Sequence, residues 1–144
     1  MAVKRVSPEE ARDLMDRQGY VYLDVRSVPE FQAGHPAGAY NVPLMNMGLA
    51  GMTPNPDFLA VVERSFPRDA RLVIGCKAGG RSAKAAAILE QAGFTSVVDQ
   101  RNGYEGTPLP TGGVEPGWRP RGLPTSDNAP AERTYEGIKS RPPR

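Results

Sequence analysis

A single cysteine, Cys76, is the residue whose surroundings in the sequence best suit it for chemistry. Residues 72–82 read Leu-Val-Ile-Gly-Cys-Lys-Ala-Gly-Gly-Arg-Ser, an apolar run that ends in the cysteine and continues into a glycine-bearing loop. Lys77 and Arg81 place two positive charges near the thiol, and such charges favour the nucleophilic thiolate. We therefore predict that Cys76 is a catalytic nucleophile.

The loop that follows Cys76 has the composition of an anion-binding segment. Its paired glycines allow backbone angles that point successive amide groups inward. A helix that begins with Ser82 as its N-cap would add the positive end of its dipole. We therefore assign substrate binding to the residues from the cysteine to the start of the helix, namely Lys77, Ala78, Gly79, Gly80, Arg81 and Ser82.

A lone cysteine can instead be an unreactive core residue, because cysteine is among the most buried residue types. A packing cysteine belongs within a strand, whereas Cys76 follows Gly75 and opens a loop, so its position favours the reactive interpretation. One cysteine cannot form an intrachain disulfide, and with a single histidine no group has metal-ligand spacing. We expect neither a metal nor an organic cofactor.

The elements that must position this loop alternate between strands and helices. Ser7 and Glu10 have the spacing of a capping box, so a helix is predicted to begin at Pro8 and to end near Gly19. Strands are predicted over residues 3–6, 20–25, 39–42, 71–75 and 96–99, and further helices over 29–32, 56–66 and 82–91. This alternation predicts an α/β fold with a mainly parallel central sheet and helices on both faces.

Length and composition predict one domain with an extension. A chain of 144 residues has room for one core, which we place in residues 1–110. Eight of the fifteen prolines fall in the last 37 residues, where aliphatic residues are few. We therefore expect residues 111–144 to form a Pro-rich, irregular and partly flexible extension without a core of its own, anchored to the domain by Trp118.

Charge and hydropathy exclude several classes of partner. Lys and Arg number 18 against 16 Asp and Glu, and no uninterrupted basic run suits a nucleic acid backbone. No run of about 18 apolar residues and no apolar segment of a secretion signal occurs. We expect a cytoplasmic protein that binds neither nucleic acid nor membranes.

Two separated motifs resemble the rhodanese homology family. Residues 23–43 read Leu-Asp-Val-Arg-Ser-Val-Pro-Glu-Phe-Gln-Ala-Gly-His-Pro-Ala-Gly-Ala-Tyr-Asn-Val-Pro, and the loop of residues 76–82 is the second. With Gly93-Phe94 and Asn102-Gly103-Tyr104, the resemblance covers about residues 3–110. It departs at Pro36-Ala37 and at residues 101–103, where Arg-Asn-Gly replaces a more usual pair of glycines.

This resemblance implies a rhodanese-like sulfurtransferase. Cys76 would carry a sulfur atom as a persulfide, taken from thiosulfate or another sulfane-sulfur donor and passed to cyanide, a thiol or a protein acceptor. The loop from Cys76 to Arg81 has the length typical of the family's sulfurtransferases, whereas its phosphatase and arsenate-reductase relatives have one more residue there. Phosphatase chemistry is therefore disfavoured.

Other assignments stay open beside this one. The chain is alternatively a rhodanese-like interaction module or a sulfur-relay module with little activity on small molecules, although the non-catalytic members commonly lack the cysteine. The resemblance implies structural roles for Asp24, Arg26 and Glu30, which would fix the turn after the second strand. It implies a chiefly structural role for His35 as well.

Overall fold

A computed structural model describes residues 3–140 and shows a five-stranded sheet in the order β1-β8-β7-β2-β4. All four strand pairings in this sheet are parallel. The strands of the sheet are β1 (Lys4–Val6), β2 (Val21–Asp24), β4 (Tyr40–Asn41), β7 (Arg71–Gly75) and β8 (Ser96–Gln100). The shorter strands are β3 (His35–Pro36), β5 (Met45–Gly48), β6 (Gly51–Pro54), β9 (Gly106–Pro108), β10 (Val114–Pro116) and β11 (Thr125–Ser126).

Helices cover both faces of the sheet, as the sequence predicted. They are α1 (Pro8–Gln18), α2 (Val28–Ala33), α3 (Phe58–Ser65), α4 (Gly80–Gln91), a 3-10 turn at Ala131–Arg133, and α5 (Tyr135–Ser140). Successive side chains of a strand point to opposite faces. In β7, Leu72 and Ile74 join the core beneath α3, α4 and α5, whereas Val73 joins the core that Ala11 of α1 completes.

The first helix has the ends that its sequence predicted. The Ser7 side chain accepts a hydrogen bond from the Glu10 amide at 3.0 Å, and the Glu10 carboxylate accepts one from the Ser7 amide at 2.8 Å. These two bonds form the capping box. Gly19 ends the helix in the left-handed conformation, with φ of 71°.

The start of α4 differs from the prediction. The N-cap is Gly79, at φ of 111°, and the helix begins at Gly80, so the assignment of Ser82 as N-cap was wrong. The buried Ser82 hydroxyl instead donates to the Gly79 carbonyl at 3.2 Å. Only glycine adopts such a backbone angle readily, and Gly79 therefore brings the helix N-terminus closer to Cys76 than a Ser82 cap would.

Part of the extension joins the core of the domain, a contribution that its composition did not predict. Tyr135 and Ile138 of α5 lie in the cluster that holds Leu23 and Ile74 of the central sheet. Trp118 is 1% exposed and packs edge-on against Tyr22, with ring centroids 5.5 Å apart, which confirms its predicted anchoring role. A few large side chains are enough to dock a segment whose average composition is polar.

Across residues 3–140, no helix combines the length and the apolar character needed to cross a membrane. Nor do three or more His, Cys, Asp or Glu side chains within that range come together as a group that could hold a metal ion.

Candidate active site

Cys76 lies at the carboxyl end of β7, the middle strand of the sheet. Its neighbour Gly75 must be glycine, because a Cβ there would lie 1.7 Å from the Tyr22 hydroxyl oxygen. The Tyr22 hydroxyl in turn donates a short hydrogen bond to the Gln100 side chain, and burial raises the pKa of this tyrosine well above its ordinary value. The buried side chains of Tyr22 and Gln100 thus pack directly against the carboxyl end of β7.

The sulfur atom of Cys76 accepts a hydrogen bond from the loop. The Gly79 amide donates to Sγ across 3.1 Å, and the Ser82 hydroxyl oxygen lies 3.5 Å from the same atom. Cys76 is 1% exposed, which a packing cysteine would also show. The amide donor distinguishes the two interpretations, because a backbone N–H directed at sulfur stabilises negative charge there.

A second loop, which follows β8, supports the first from behind. The Tyr104 amide donates to the Cys76 carbonyl at 2.7 Å, and the Glu105 amide donates to the Lys77 carbonyl at 3.0 Å. Gly103 makes this contact possible, because a Cβ there would lie 2.4 Å from the Lys77 carbonyl carbon. The loop that begins at Cys76 is therefore held by hydrogen bonds to its backbone as well as by contacts of its side chains.

Arg81 is bound to a carboxylate rather than left open. Its Nη1 and Nη2 atoms lie 2.7 Å and 3.0 Å from the two oxygens of Glu30, a bidentate pair in which both side chains are mostly buried. Glu30 also accepts hydrogen bonds from the amide and hydroxyl of Ser27 at the start of α2. Although burial opposes it, these bonds lower the pKa of Glu30 to about 2.

This pair ties the sulfur loop to the first sequence motif. Arg81 lies in the first turn of α4, and Glu30 belongs to α2, so the charge that the sequence placed near Cys76 is fixed by a partner 51 positions away. Lys77 differs, because its side chain is exposed and makes no hydrogen bond or ion pair with the described part of the chain. Of the two cations, Lys77 has the greater freedom to meet an incoming anion.

The remaining candidates have the structural roles that the sequence indicated. The Arg26 guanidinium bonds both oxygens of Asp24, at 2.7 Å to 3.1 Å, and donates to the Gly34 carbonyl at 2.6 Å. His35 is buried, stacks on Phe31 with ring centroids 3.8 Å apart, and its Nδ1 lies 2.8 Å from the Phe31 carbonyl oxygen. The Asp24–Arg26 pair fixes the turn after β2, and His35 packs against the end of α2.

Two residues that sequence reasoning did not select lie beside the loop. The Thr107 hydroxyl donates to the Ala78 carbonyl at 2.8 Å, and the Asn102 side chain donates to the Thr107 hydroxyl at 3.0 Å. Asn102 holds a positive φ of 70°. The only feature of the sequence that pointed to Asn102 was that Arg-Asn-Gly at residues 101–103 replaces the paired glycines usual in the rhodanese family.

The fold and the loop define an α/β domain with one cysteine at the carboxyl edge of a parallel sheet. The sulfur of this cysteine accepts a hydrogen bond from a backbone amide of the loop. In doubly wound sheets that edge is where ligands bind.

Comparisons with known proteins agree with this class. The model of the rhodanese-like domain matches residues 7–107. Thiosulfate sulfurtransferase 16, chloroplastic, of Arabidopsis thaliana is 45% identical over 120 residues, which are 83% of this chain and 90% of that protein. Senescence-associated protein DIN1 of Raphanus sativus is 46% identical over 94 residues, 65% of this chain; the match spans 51% of that protein, about half its length.

Among solved structures, the crystal structure of Rv0390 from M. tuberculosis superposes with a TM-score of 0.74 at 28% identity. The match covers 89% of this chain and 100% of that one. The chain therefore belongs to the rhodanese-like domain family, a family that includes proteins named as thiosulfate sulfurtransferases.

Proposed function

We propose that the protein is a sulfurtransferase of the thiosulfate type, with Cys76 as the sulfur carrier. The observation that carries the proposal is the hydrogen bond of 3.1 Å from the Gly79 amide to the Cys76 sulfur, in a loop whose length suits a sulfur atom rather than a phosphate group. The membership of the family and the relatives named as thiosulfate sulfurtransferases support it.

The reaction is a two-step exchange at sulfur. In the first step the Cys76 thiolate attacks the outer sulfur of thiosulfate, a new S–S bond forms, and the old S–S bond breaks as sulfite leaves with its electron pair. In the second step cyanide or a thiolate attacks the terminal sulfur of the persulfide, and the Cys76 thiolate is released. No net oxidant or reductant is needed, and the carried sulfur is held covalently by the protein.

The chain supplies electrostatic stabilisation rather than acid–base chemistry. The Gly79 amide stabilises negative charge on the cysteine sulfur at the beginning and the end of the cycle. The Arg81 charge is paired with Glu30 and helps to hold the loop, whereas the exposed Lys77 is free to meet the sulfonate oxygens of the donor. No general base is required, because the thiolate attacks without giving up a proton in that step. Ala78, Gly80 and Ser82 complete the loop that would surround the donor.

The test is the Cys76→Ser variant with thiosulfate and cyanide. An oxygen atom cannot form the persulfide, so we expect thiocyanate production to fall to the uncatalysed level while circular dichroism shows an unchanged fold. Thiocyanate formation at the wild-type rate would overturn the mechanism. A wild-type protein that takes sulfur from thiosulfate but releases it only to a protein thiol would identify a sulfur-relay module. Cytoplasmic location stays a prediction from the sequence.

A further inference from the structure

We propose that Thr107 is a positioning residue that aims the Gly79 amide at the sulfur of Cys76. Thr107 lies in β9, outside the loop of residues 76–81, and its hydroxyl bonds to the backbone of that loop rather than to Cys76. Its hydroxyl donates to the Ala78 carbonyl at 2.8 Å. The expected effect of Thr107 on sulfur transfer rests on the proposed function. Its expected effect on the reactivity of the Cys76 thiol does not, because that effect follows from the hydrogen bonds alone.

The peptide plane between Ala78 and Gly79 links the two hydrogen bonds. This peptide is trans, so its carbonyl and its N–H point in opposite directions. Thr107 holds the carbonyl at one edge of the plane, and the N–H at the other edge donates to the Cys76 sulfur at 3.1 Å. Because the plane is rigid, a rotation that released Thr107 would also turn the amide away from sulfur.

The direction of the Thr107 hydrogen bond is fixed by its neighbour. The Asn102 side-chain nitrogen donates to the Thr107 hydroxyl at 3.0 Å and to the Glu115 carboxylate at 2.9 Å. Both amide protons of Asn102 are then in use, and the Thr107 oxygen accepts one of them. The single proton of the Thr107 hydroxyl is thereby directed to the Ala78 carbonyl.

The backbone of Asn102 explains why asparagine suits this place. Its φ of 70° is a conformation that asparagine tolerates better than most residues with side chains. A glycine there would satisfy the backbone but would provide no amide group for Thr107. Glu115 belongs to β10, so the chain of contacts that ends at the sulfur begins in the C-terminal extension.

The decisive variant is Thr107→Val, which keeps the shape of the side chain and removes the hydroxyl. Loss of one net hydrogen bond changes a rate by roughly three- to tenfold. We expect Thr107→Val to lower the rate of Cys76 alkylation by neutral iodoacetamide, and the rate constant for sulfur uptake from thiosulfate, by that factor.

Three further variants make the comparison specific. Thr107→Ser restores the hydroxyl and should return most of both rates, a rescue that a purely structural role for the methyl group would not give. Asn102→Gly keeps the positive φ, removes the donor to Thr107, and should lower the rates by a smaller factor. Thr95→Val is the matched control, because Thr95 is an exposed threonine whose hydroxyl lies near the Arg68 carbonyl, just before the amino end of β8 and so at the opposite edge of the sheet from the loop.

Alkylation separates this proposal from the proposed function. If the wild type took no sulfur from thiosulfate, the proposed function would fail, and the alkylation rates of the four variants would still decide the role of Thr107. Equal alkylation rates for the wild type, Thr107→Val and Thr107→Ser would overturn the inference. Should Thr107→Val fail to fold, unchanged alkylation in Asn102→Gly would overturn it in the same way.

Discussion

Substitution of Ile138 by alanine tests whether the extension is part of the folded domain. The Ile138 side chain is 2% exposed and lies in the main core cluster beneath the sheet. Burial of each methylene group contributes about 0.8 kcal/mol, so removal of most of this side chain costs about 2 to 3 kcal/mol with the cavity it leaves. The loss of stability cannot exceed the free energy with which α5 docks on the domain, because this terminal helix can detach while the rest of the domain stays folded.

That loss should be visible in thermal unfolding. In a domain of this size one kcal/mol shifts the melting temperature by about 3 to 4 °C, so we expect Ile138→Ala to melt about 6 to 12 °C below the wild type. Circular dichroism or calorimetry measures the shift. Deletion of the residues after Thr125 should cost at least as much, because it also removes Tyr135, whose hydroxyl accepts a hydrogen bond from Asn55 at 3.1 Å.

The control is Leu109→Ala, a substitution of similar size just before the same extension. Leu109 is 44% exposed, so its loss should shift the melting temperature by less than that of Ile138. If Ile138→Ala and the deletion both melted with the wild type, α5 would not be docked in solution, and the tail would be the flexible segment that its composition suggests.

Three further predictions concern the site and its supports. Lys77→Ala should lower the rate constant of the thiosulfate half-reaction by at most about tenfold, because the exposed charge is screened by solvent. Arg81→Ala should lower that rate constant more, because it also leaves Glu30 without its partner. Unchanged steady-state kinetics in both variants would assign donor recognition to the backbone alone. The pKa of Glu30 is lowered from 4.5 to about 2 in the folded protein, so its contribution to stability is complete above pH 4.5 and is lost as the pH falls toward 2. The gap in melting temperature between wild type and Glu30→Gln should therefore shrink over that interval, and a constant gap would contradict the role of the ion pair. Gly75→Ala should lower thermal stability severely because its Cβ would lie 1.7 Å from the Tyr22 hydroxyl oxygen, and a wild-type melt would show that the strand can shift.

The features that the sequence predicted well are local or periodic. The capping box of α1 depends on residues three positions apart, and the apolar run of β7 precedes its loop without interruption. The position of Cys76 at the carboxyl edge follows from this apolar run and from the parallel sheet. Such patterns can be read from a single chain because their partners are sequence neighbours.

The features that the sequence did not predict depend on contacts between distant segments. Thr107 meets the Ala78 carbonyl across 29 positions, and Arg81 meets Glu30 across 51. The Ser82 assignment failed because the left-handed backbone of Gly79, not a side-chain cap, sets the helix start. The extension was misjudged because composition averages over many residues, whereas docking depends on a few large ones.

A mass spectrum of the intact protein, taken after incubation with thiosulfate and removal of the excess, tests directly whether Cys76 carries sulfur. We predict that the wild type gains the mass of one sulfur atom, that peptide mapping places this atom on Cys76, and that cyanide removes it as thiocyanate. The Cys76→Ser protein should gain nothing under the same conditions. A wild-type protein of unchanged mass, or an added sulfur that persists in Cys76→Ser, would contradict the assignment of Cys76 as the sulfur carrier.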